Sequence, residues 1–162
     1  MKVSTTRTAL LLGIALSGLG SVGAALWTQH GLGMEPCPWC ILQRLIIVLI
    51  VLVALLGLAW RGVAGTLLTG GLIVALSGAG MAAALWQHFV AAASDSCKTT
   101  LAERIISGLG LDGSLPEIFQ PRASCADAAV KLLGLPYEFW SLMLFVLLGV
   151  MALRLLQQRA AA

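Results

Sequence analysis

Four runs of this sequence are each long and apolar enough to cross a lipid bilayer: residues 8–27, 41–60, 63–86 and 140–156. An α-helix needs about 20 mostly apolar residues to span the hydrocarbon core. A water-soluble core of this size has no room for so much apolar chain. Residues of the AVILMFWYC set make up 59% of the sequence and charged residues only 10%, against roughly 25% charged in soluble domains. A tryptophan stands at an end of each run: Trp27, Trp60, Trp86 and Trp140. Indole rings favour the headgroup level, so these residues read as an interfacial belt. The expected fold is an all-α membrane protein, a four-transmembrane-helix bundle forming one integral membrane domain over residues 1–162. Lys2 and Arg7 before an apolar run also resemble the start of a signal peptide, with 22–24 as a poor cleavage site. That run is too long for a typical signal core, and its removal would leave three spans.

Charge sets the orientation. With the amino terminus inside, the inner segments hold Lys2, Arg7, Arg61, Arg154 and Arg159 and no acid. Cytoplasmic segments near span ends carry the excess of lysine and arginine. Both termini and the short turn at Arg61 are therefore expected on the cytoplasmic side. Glu35, Asp95, Glu103, Asp112, Glu117, Asp127 and Glu138 all fall outside. Two outer loops remain, at about 28–40 and 87–139. The chain has no basic stripe interleaved with aromatics, which disfavours nucleic-acid binding.

All four cysteines land in the outer loops, although none was used to set the topology. Cys37 and Cys40 form a Cys-Pro-Trp-Cys motif at the mouth of the second span. Unpaired N–H groups and the positive dipole end at a helix amino terminus favour an anion, and so favour thiolate at Cys40. Pro38 restricts the backbone and suits the start of a helix. Cys97 and Cys125 lie in the long second loop. A purely structural bridge between them would close about 29 residues and stabilise by roughly 3.6 kcal/mol. Beside an outward-facing CxxC pair, thiol–disulfide exchange is the favoured reading, because it needs an accessible and mobile sulfur. A four-thiolate zinc site is disfavoured by the oxidising side of the membrane and the wide spacing of the loop pair, so no metal is expected. Haem attachment fails because Ile41 follows Cys40.

Arg44 follows Cys40 by four residues, on the same helix face. An arginine at the bilayer centre costs on the order of 2.5–3.5 kcal/mol, and less where it snorkels to the interface. It is placed to stabilise a Cys40 thiolate or to hold a reduced quinone oxygen. His88, just beyond Trp86, is placed to donate a hydrogen bond or proton to a quinone oxygen; the alternative is an interfacial histidine facing water. His30 is a weaker candidate. Leu101, Ile105 and Leu109 recur at i, i+4 and i+8, as in a short amphipathic helix on the membrane surface. A loop with a few apolar residues tucked against the spans fits equally. Gly13, Ser17 and Ser21, and Gly71, Ala75 and Ala79, are small residues at a spacing that lets helices approach in lipid. Residues 25–30 (ALWTQH) and 84–88 (ALWQH) echo each other at the ends of the first and third spans.

This arrangement resembles the DsbB family of membrane thiol oxidases. The resemblance rests on four spans, on Cys37-Pro38-Trp39-Cys40-Ile41-Leu42-Gln43-Arg44 as a CxxCxxxR core, and on a second cysteine pair in the long outer loop. Residues 135–140 (LPYEFW) resemble the family's return into the last span. The resemblance implies that Cys97 is attacked by a soluble DsbA-like thioredoxin-fold oxidase of the periplasm, with Cys125 as its disulfide mate. It implies that Cys37 relays the disulfide to the loop. Cys40 would face a membrane quinone, ubiquinone or menaquinone, bound non-covalently or as a transient adduct. Arg44 would bind and polarise that quinone, with His88 nearby. The implied setting is the bacterial inner membrane, with the cysteines on the periplasmic side. One departure is Gln43, where the family commonly has glutamate. Vitamin K epoxide reductase relatives also combine four spans with two cysteine pairs, but there the CxxC follows the loop cysteines, and here it precedes them. A non-catalytic membrane protein with two structural disulfides is the alternative from another class.

Overall fold

A computed structural model describes residues 2–60, 62–93 and 100–160. Four long helices form the body: α1 (Lys2–Gly31), α2 (Pro38–Ala59), α3 (Val63–Trp86) and, after the outer loop, α7 (Tyr137–Ala160). All four are long and apolar enough to cross a membrane, so the chain is a multi-pass membrane protein built as a four-helix bundle. Between α3 and α7 lie a π turn (Gln87–Ala91), the short helices α4 (Leu101–Gly108), α5 (Leu111–Ser114) and α6 (Pro116–Phe119), and a two-stranded hairpin of β1 (Lys131–Leu132) and β2 (Leu135–Pro136). Arg61, Asp95 and Cys97, which figured in the sequence reading, lie outside the described residues.

The helices pack in a ring. α3 lies most closely on α7, α2 joins α3 and α1, and α1 and α7 are the neighbours in the ring that touch least. The centre is filled by Leu11, Ile14, Ile46, Ile50, Ile73, Phe145 and Leu148. Leucines such as Leu16, Leu52, Leu56, Leu67 and Leu147 point outward and are exposed. In water such a surface would drive aggregation; in lipid it is the correct solvent face.

Small residues set the closest approaches, but not all the expected ones. A Cβ at Gly80 would sit 2.3 Å from the Phe145 ring, and one at Gly13 2.7 Å from Met151. Gly71, Ala75 and Ala79 instead face outward and are exposed. The stripe of α3 that meets its neighbours runs through Gly70, Ser77, Gly80 and Ala84. Both stripes are made of small residues on one helix, and the used one faces the bulky Leu156 at Gly70 and Phe145 at Gly80.

At the end of the bundle away from the cysteines, Arg7 is buried among three helices. Its Nε donates to Thr66 Oγ1 at 2.9 Å, and its Nη2 donates to the Gly57 and Trp60 carbonyl oxygens. Those carbonyls belong to the last turn of α2, where a helix runs out of onward N–H donors. One guanidinium from α1 thus caps α2 and binds it to α3, where helix dipole and cation also attract.

At the other end the long outer segment folds back over the bundle. α4 starts with the Thr100 side chain accepting the Glu103 N–H. Ala102 and Ile106 are buried, Ile106 beside Ile41 and Phe119. Leu101, Ile105 and Leu109 lie on the exposed side of the same segment. The Pro36 carbonyl accepts the Arg122 N–H at 3.0 Å, and the Trp140 indole donates to the Leu132 carbonyl at 3.2 Å. The hairpin turns through Leu133 (φ 53°) and Gly134 (φ 85°), the paired positive φ values of a tight hairpin turn.

Because Arg7→Ala orphans buried carbonyls at the end of α2, it should destabilise the bundle by about 1–3 kcal/mol. Denaturation of the detergent-solubilised protein should show this as an earlier unfolding midpoint, with Arg7→Lys recovering part of the loss. Wild-type stability in Arg7→Ala would show that the cap is dispensable.

Candidate active site

The site is assembled around the outer end of α2. That helix begins at Pro38, earlier than the apolar run at 41 suggested, so Cys37 is its N-cap and Cys40 lies in its first turn. The Cys37 backbone is extended (φ −83°, ψ 168°), and its sulfur accepts the Cys40 N–H at 3.3 Å. A sulfur here does the work usually done by a serine or aspartate oxygen. Cys37 and Cys40 Sγ are 3.0 Å apart.

Cys125 comes from the outer segment and is buried against the same helix start. Its sulfur packs beside the Cys37 thiol and the Trp39 N–H. Three sulfurs therefore lie in sequence, Cys125 to Cys37 to Cys40. Cys37 is fully buried and its single thiol proton is shared between the Cys125 and Cys40 sulfurs, which holds its thiol far above the ordinary thiol pKa. Donation from Cys37, then from the Trp39 N–H, holds Cys125 below it. Among the described residues Cys37, Cys40 and Cys125 are free thiols; Cys97 lies outside those residues.

Arg44 is one helical turn further in and buried. Its Nη1 donates to Gln29 Oε1 at 3.0 Å and to the Ile118 carbonyl. Its Nε has no hydrogen-bond partner among the described residues. Gln29 in turn donates to the Glu117 carbonyl at 3.3 Å, so Arg44 is held from α1 and from the α6 segment together. On the other side, Gln43 Nε2 donates to Gln87 Oε1 at 2.7 Å, and Gln87 Nε2 donates to Cys40 Sγ at 3.2 Å.

Cys40 and Arg44 share the wall of a cavity of about 330 Å³, within the range small-molecule sites occupy. The cavity lies between α1 and α7, the neighbouring spans in the ring that touch least. Val22, Ala25, Ile47 and Leu144 supply apolar wall; Gln43, Gln87, Tyr137 and Glu138 supply polar groups. His88 is not part of that wall among the described residues. Its Nδ1 lies 2.6 Å from Glu138 Oε1, and the ring makes edge contacts with Phe89 and Phe139. His30 pairs instead with Glu117 at 3.1 Å, on the exposed surface.

The sequence reading missed Gln29, Gln87 and Glu138. Its one usable signal was the echo at 25–30 and 84–88. Each copy sends its glutamine to the site, Gln29 to Arg44 and Gln87 to Cys40, and pairs its histidine with a glutamate.

The family model for disulfide bond formation protein DsbB matches residues 6–155. The chain belongs to the DsbB family. It is 35% identical over 155 residues to a disulfide bond formation protein B of Aromatoleum aromaticum, covering 93% of each chain. It is 36% identical over 146 residues to one from Pseudomonas syringae pv. tomato, covering 90% of this chain and 85% of that protein. A Burkholderia pseudomallei relative is 32% identical over 152 residues, covering 93% and 90%. As a DsbB-family protein it is an oxidoreductase with a role in disulfide formation.

The sulfur geometry has a measurable consequence for the reduced protein. Iodoacetamide should label Cys125 with a midpoint pH below the roughly 8.5 of a free thiol, while Cys37 stays protonated and lags at every pH. Cys37→Ala removes the donor and should shift the Cys125 midpoint upward. Mass spectrometry of protein labelled across a pH series measures both; equal midpoints for Cys37 and Cys125 would contradict the donor assignment.

Proposed function

We propose that this chain reoxidises a soluble DsbA-like dithiol oxidase of the periplasm and passes the electrons to membrane quinone, as a thiol:quinone oxidoreductase of the bacterial inner membrane. The observation that carries this reading is the line of sulfurs from Cys125 through Cys37 to Cys40, ending on a cavity that also holds a buried arginine. Exchange needs a thiolate attacking along a line of sulfurs. Cys125 is held toward its anion, and Cys37 lies between it and Cys40.

In the proposed cycle the partner's thiolate attacks Cys97 of a Cys97–Cys125 disulfide and leaves oxidised, with two electrons now on the loop pair. Cys125 then attacks Cys37, breaking the Cys37–Cys40 disulfide and freeing Cys40. Cys97 resolves the Cys125–Cys37 bridge, so the loop disulfide re-forms and the dithiol sits at Cys37 and Cys40. A bound quinone supplies the two-electron, two-proton sink that returns this pair to the disulfide. The residues present suit such a group: the walls are largely apolar, and Arg44 Nε and Glu138 Oε2 are buried without partners among the described residues. Arg44 is fixed by Gln29 and the Ile118 carbonyl, so it meets developing negative charge on an oxygen without reorganising. Gln87 holds Cys40 by its hydrogen bond to sulfur. In this reading the outer end of the bundle faces the periplasm and both termini the cytoplasm.

The test is anaerobic: purified protein, a reduced DsbA-like partner and a short-chain ubiquinone, with quinol formed and partner thiols lost counted together. One quinol per partner disulfide is expected, and Cys→Ser at any of Cys37, Cys40, Cys97 or Cys125 should abolish turnover. Full turnover without Cys97 or Cys125 would leave that pair a structural role only. Arg44→Ala should raise the quinone KM strongly while leaving exchange among the sulfurs nearly intact. Arg44→Lys should recover part, since a point charge lacks the planar fork. An unchanged KM in Arg44→Ala would place the quinone elsewhere.

A further inference from the structure

Glu138 is a buried carboxylate with half of its hydrogen-bonding capacity unused. Its side chain is 5% exposed, and it lines the cavity beside Cys40 and Arg44. Oε1 is engaged by His88; Oε2 has no partner among the described residues. A buried carboxyl oxygen without a partner is costly, and a site for one is retained where the group has work to do. His88 connects it outward, because that ring is 33% exposed. Water, imidazole, carboxyl and cavity thus form one continuous series.

Other titratable groups on the cavity wall are poorly suited to give a proton there. Arg44 does not deprotonate in proteins. Gln43 and Gln87 are amides that orient Cys40 and carry no transferable proton. Glu35 is exposed at the rim. The Tyr137 hydroxyl is spent 3.3 Å from Thr28 Oγ1. Cys40 is the electron donor itself and brings only its own thiol proton.

We propose that Glu138 and His88 form a proton path from the outer surface into the cavity, with Glu138 Oε2 as the atom that delivers a proton to a bound quinone oxygen. This rests on the quinone reading above and adds the source of the proton. The balance is simple. The Cys37–Cys40 dithiol loses two electrons and two protons and gains one S–S bond; two carbonyl oxygens of the acceptor become hydroxyls. One proton passes to an acceptor oxygen from the Cys40 thiol at the cavity wall, and the other is given by Glu138, which is reprotonated through His88 by outer-surface water that has taken up the second thiol proton. General acid help of this kind is worth on the order of 10²-fold or more in rate.

The experiment is a single turnover of pre-reduced protein with saturating short-chain ubiquinone, in wild type, E138Q and H88N, with quinone Kd measured separately. E138Q keeps the shape and an acceptor for His88 but has no acidic proton. H88N keeps a donor near the Nδ1 position but cannot relay. Both should slow quinol formation on the order of 10²-fold, with Kd little changed. Infrared difference spectra between reduced and oxidised wild-type protein should show a protonated-carboxyl band that is absent in E138Q and retained in H88N. A wild-type chain that turns over while E138Q matches it overturns the proton path alone, as does absence of the carboxyl band in wild type. A Kd change in E138Q with an unaltered saturated rate makes Glu138 a binding contact and also overturns it. Failure of wild type to reduce quinone overturns both readings.

Discussion

The amino end of α2 is the interaction on which the rest of the outer face depends. A helix starting at the edge of a membrane has N–H groups with no partner of their own and little water to replace one. Here sulfur fills that role. Cys37 takes the Cys40 N–H, and the Cys125 sulfur sits beside the Trp39 N–H. The same N–H groups and the same dipole end that need an acceptor also favour negative charge on whatever supplies it. Capping and redox poise are therefore one interaction, and the position of Cys125 follows from helix chemistry as much as from sulfur chemistry.

That arrangement requires the outer segment to be held down on the helix start. The Pro36 carbonyl binds the Arg122 N–H just ahead of Cys125, Ile106 and Phe119 bury against Ile41, and the Ile118 carbonyl accepts from Arg44. Arg44 thereby belongs to two systems. It closes the outer segment onto the bundle through Gln29 and Ile118, and it lines the cavity. Truncating it would empty the site of a cation, while the Pro36–Arg122 bond and the burial of Ile106 and Phe119 against Ile41 still hold the outer segment, so exchange among the sulfurs should survive the truncation.

The bundle was legible because about 20 consecutive apolar residues admit few alternatives in lipid, and the CxxC with Arg44 was legible because both signals are local. What escaped is chemistry that exists only after helices converge. Gln29, Gln87 and Glu138 come from α1, the π turn and α7, and nothing in their own neighbourhoods marks them. The repeated ALW-to-QH ending was visible, but its meaning lay in partners far along the chain, Arg44, Cys40, Glu117 and Glu138. The used face of α3 was misread for a related reason. Gly71-Ala75-Ala79 and Gly70-Ser77-Gly80 are both rows of small residues on one helix, and only the partner across the gap, Phe145 against Gly80, marks the packed one. Leu101, Ile105 and Leu109 gave only one face of α4, because Ala102 and Ile106 bury the other against the bundle.

The two buried arginines show what distinguishes a structural charge from a working one. Arg7 and Arg44 are the same side chain, at opposite ends of the same bundle, each with a similar desolvation cost to offset. Arg7 meets Thr66 and two helix-ending carbonyls, with its Nε and Nη2 both engaged. Its site is closed by the fold itself. Arg44 has the first half of that treatment, a side-chain amide and a carbonyl on Nη1, but its Nε is left over at the wall of a cavity. Glu138 repeats the pattern from the opposite helix, one oxygen bound and one spare. A fold that satisfies Arg7 so fully has the means to satisfy these groups too. One unpartnered donor and one unpartnered acceptor, on two residues that line the same cavity beside Cys40, are the local under-satisfaction that a polar ligand on an apolar frame would complete.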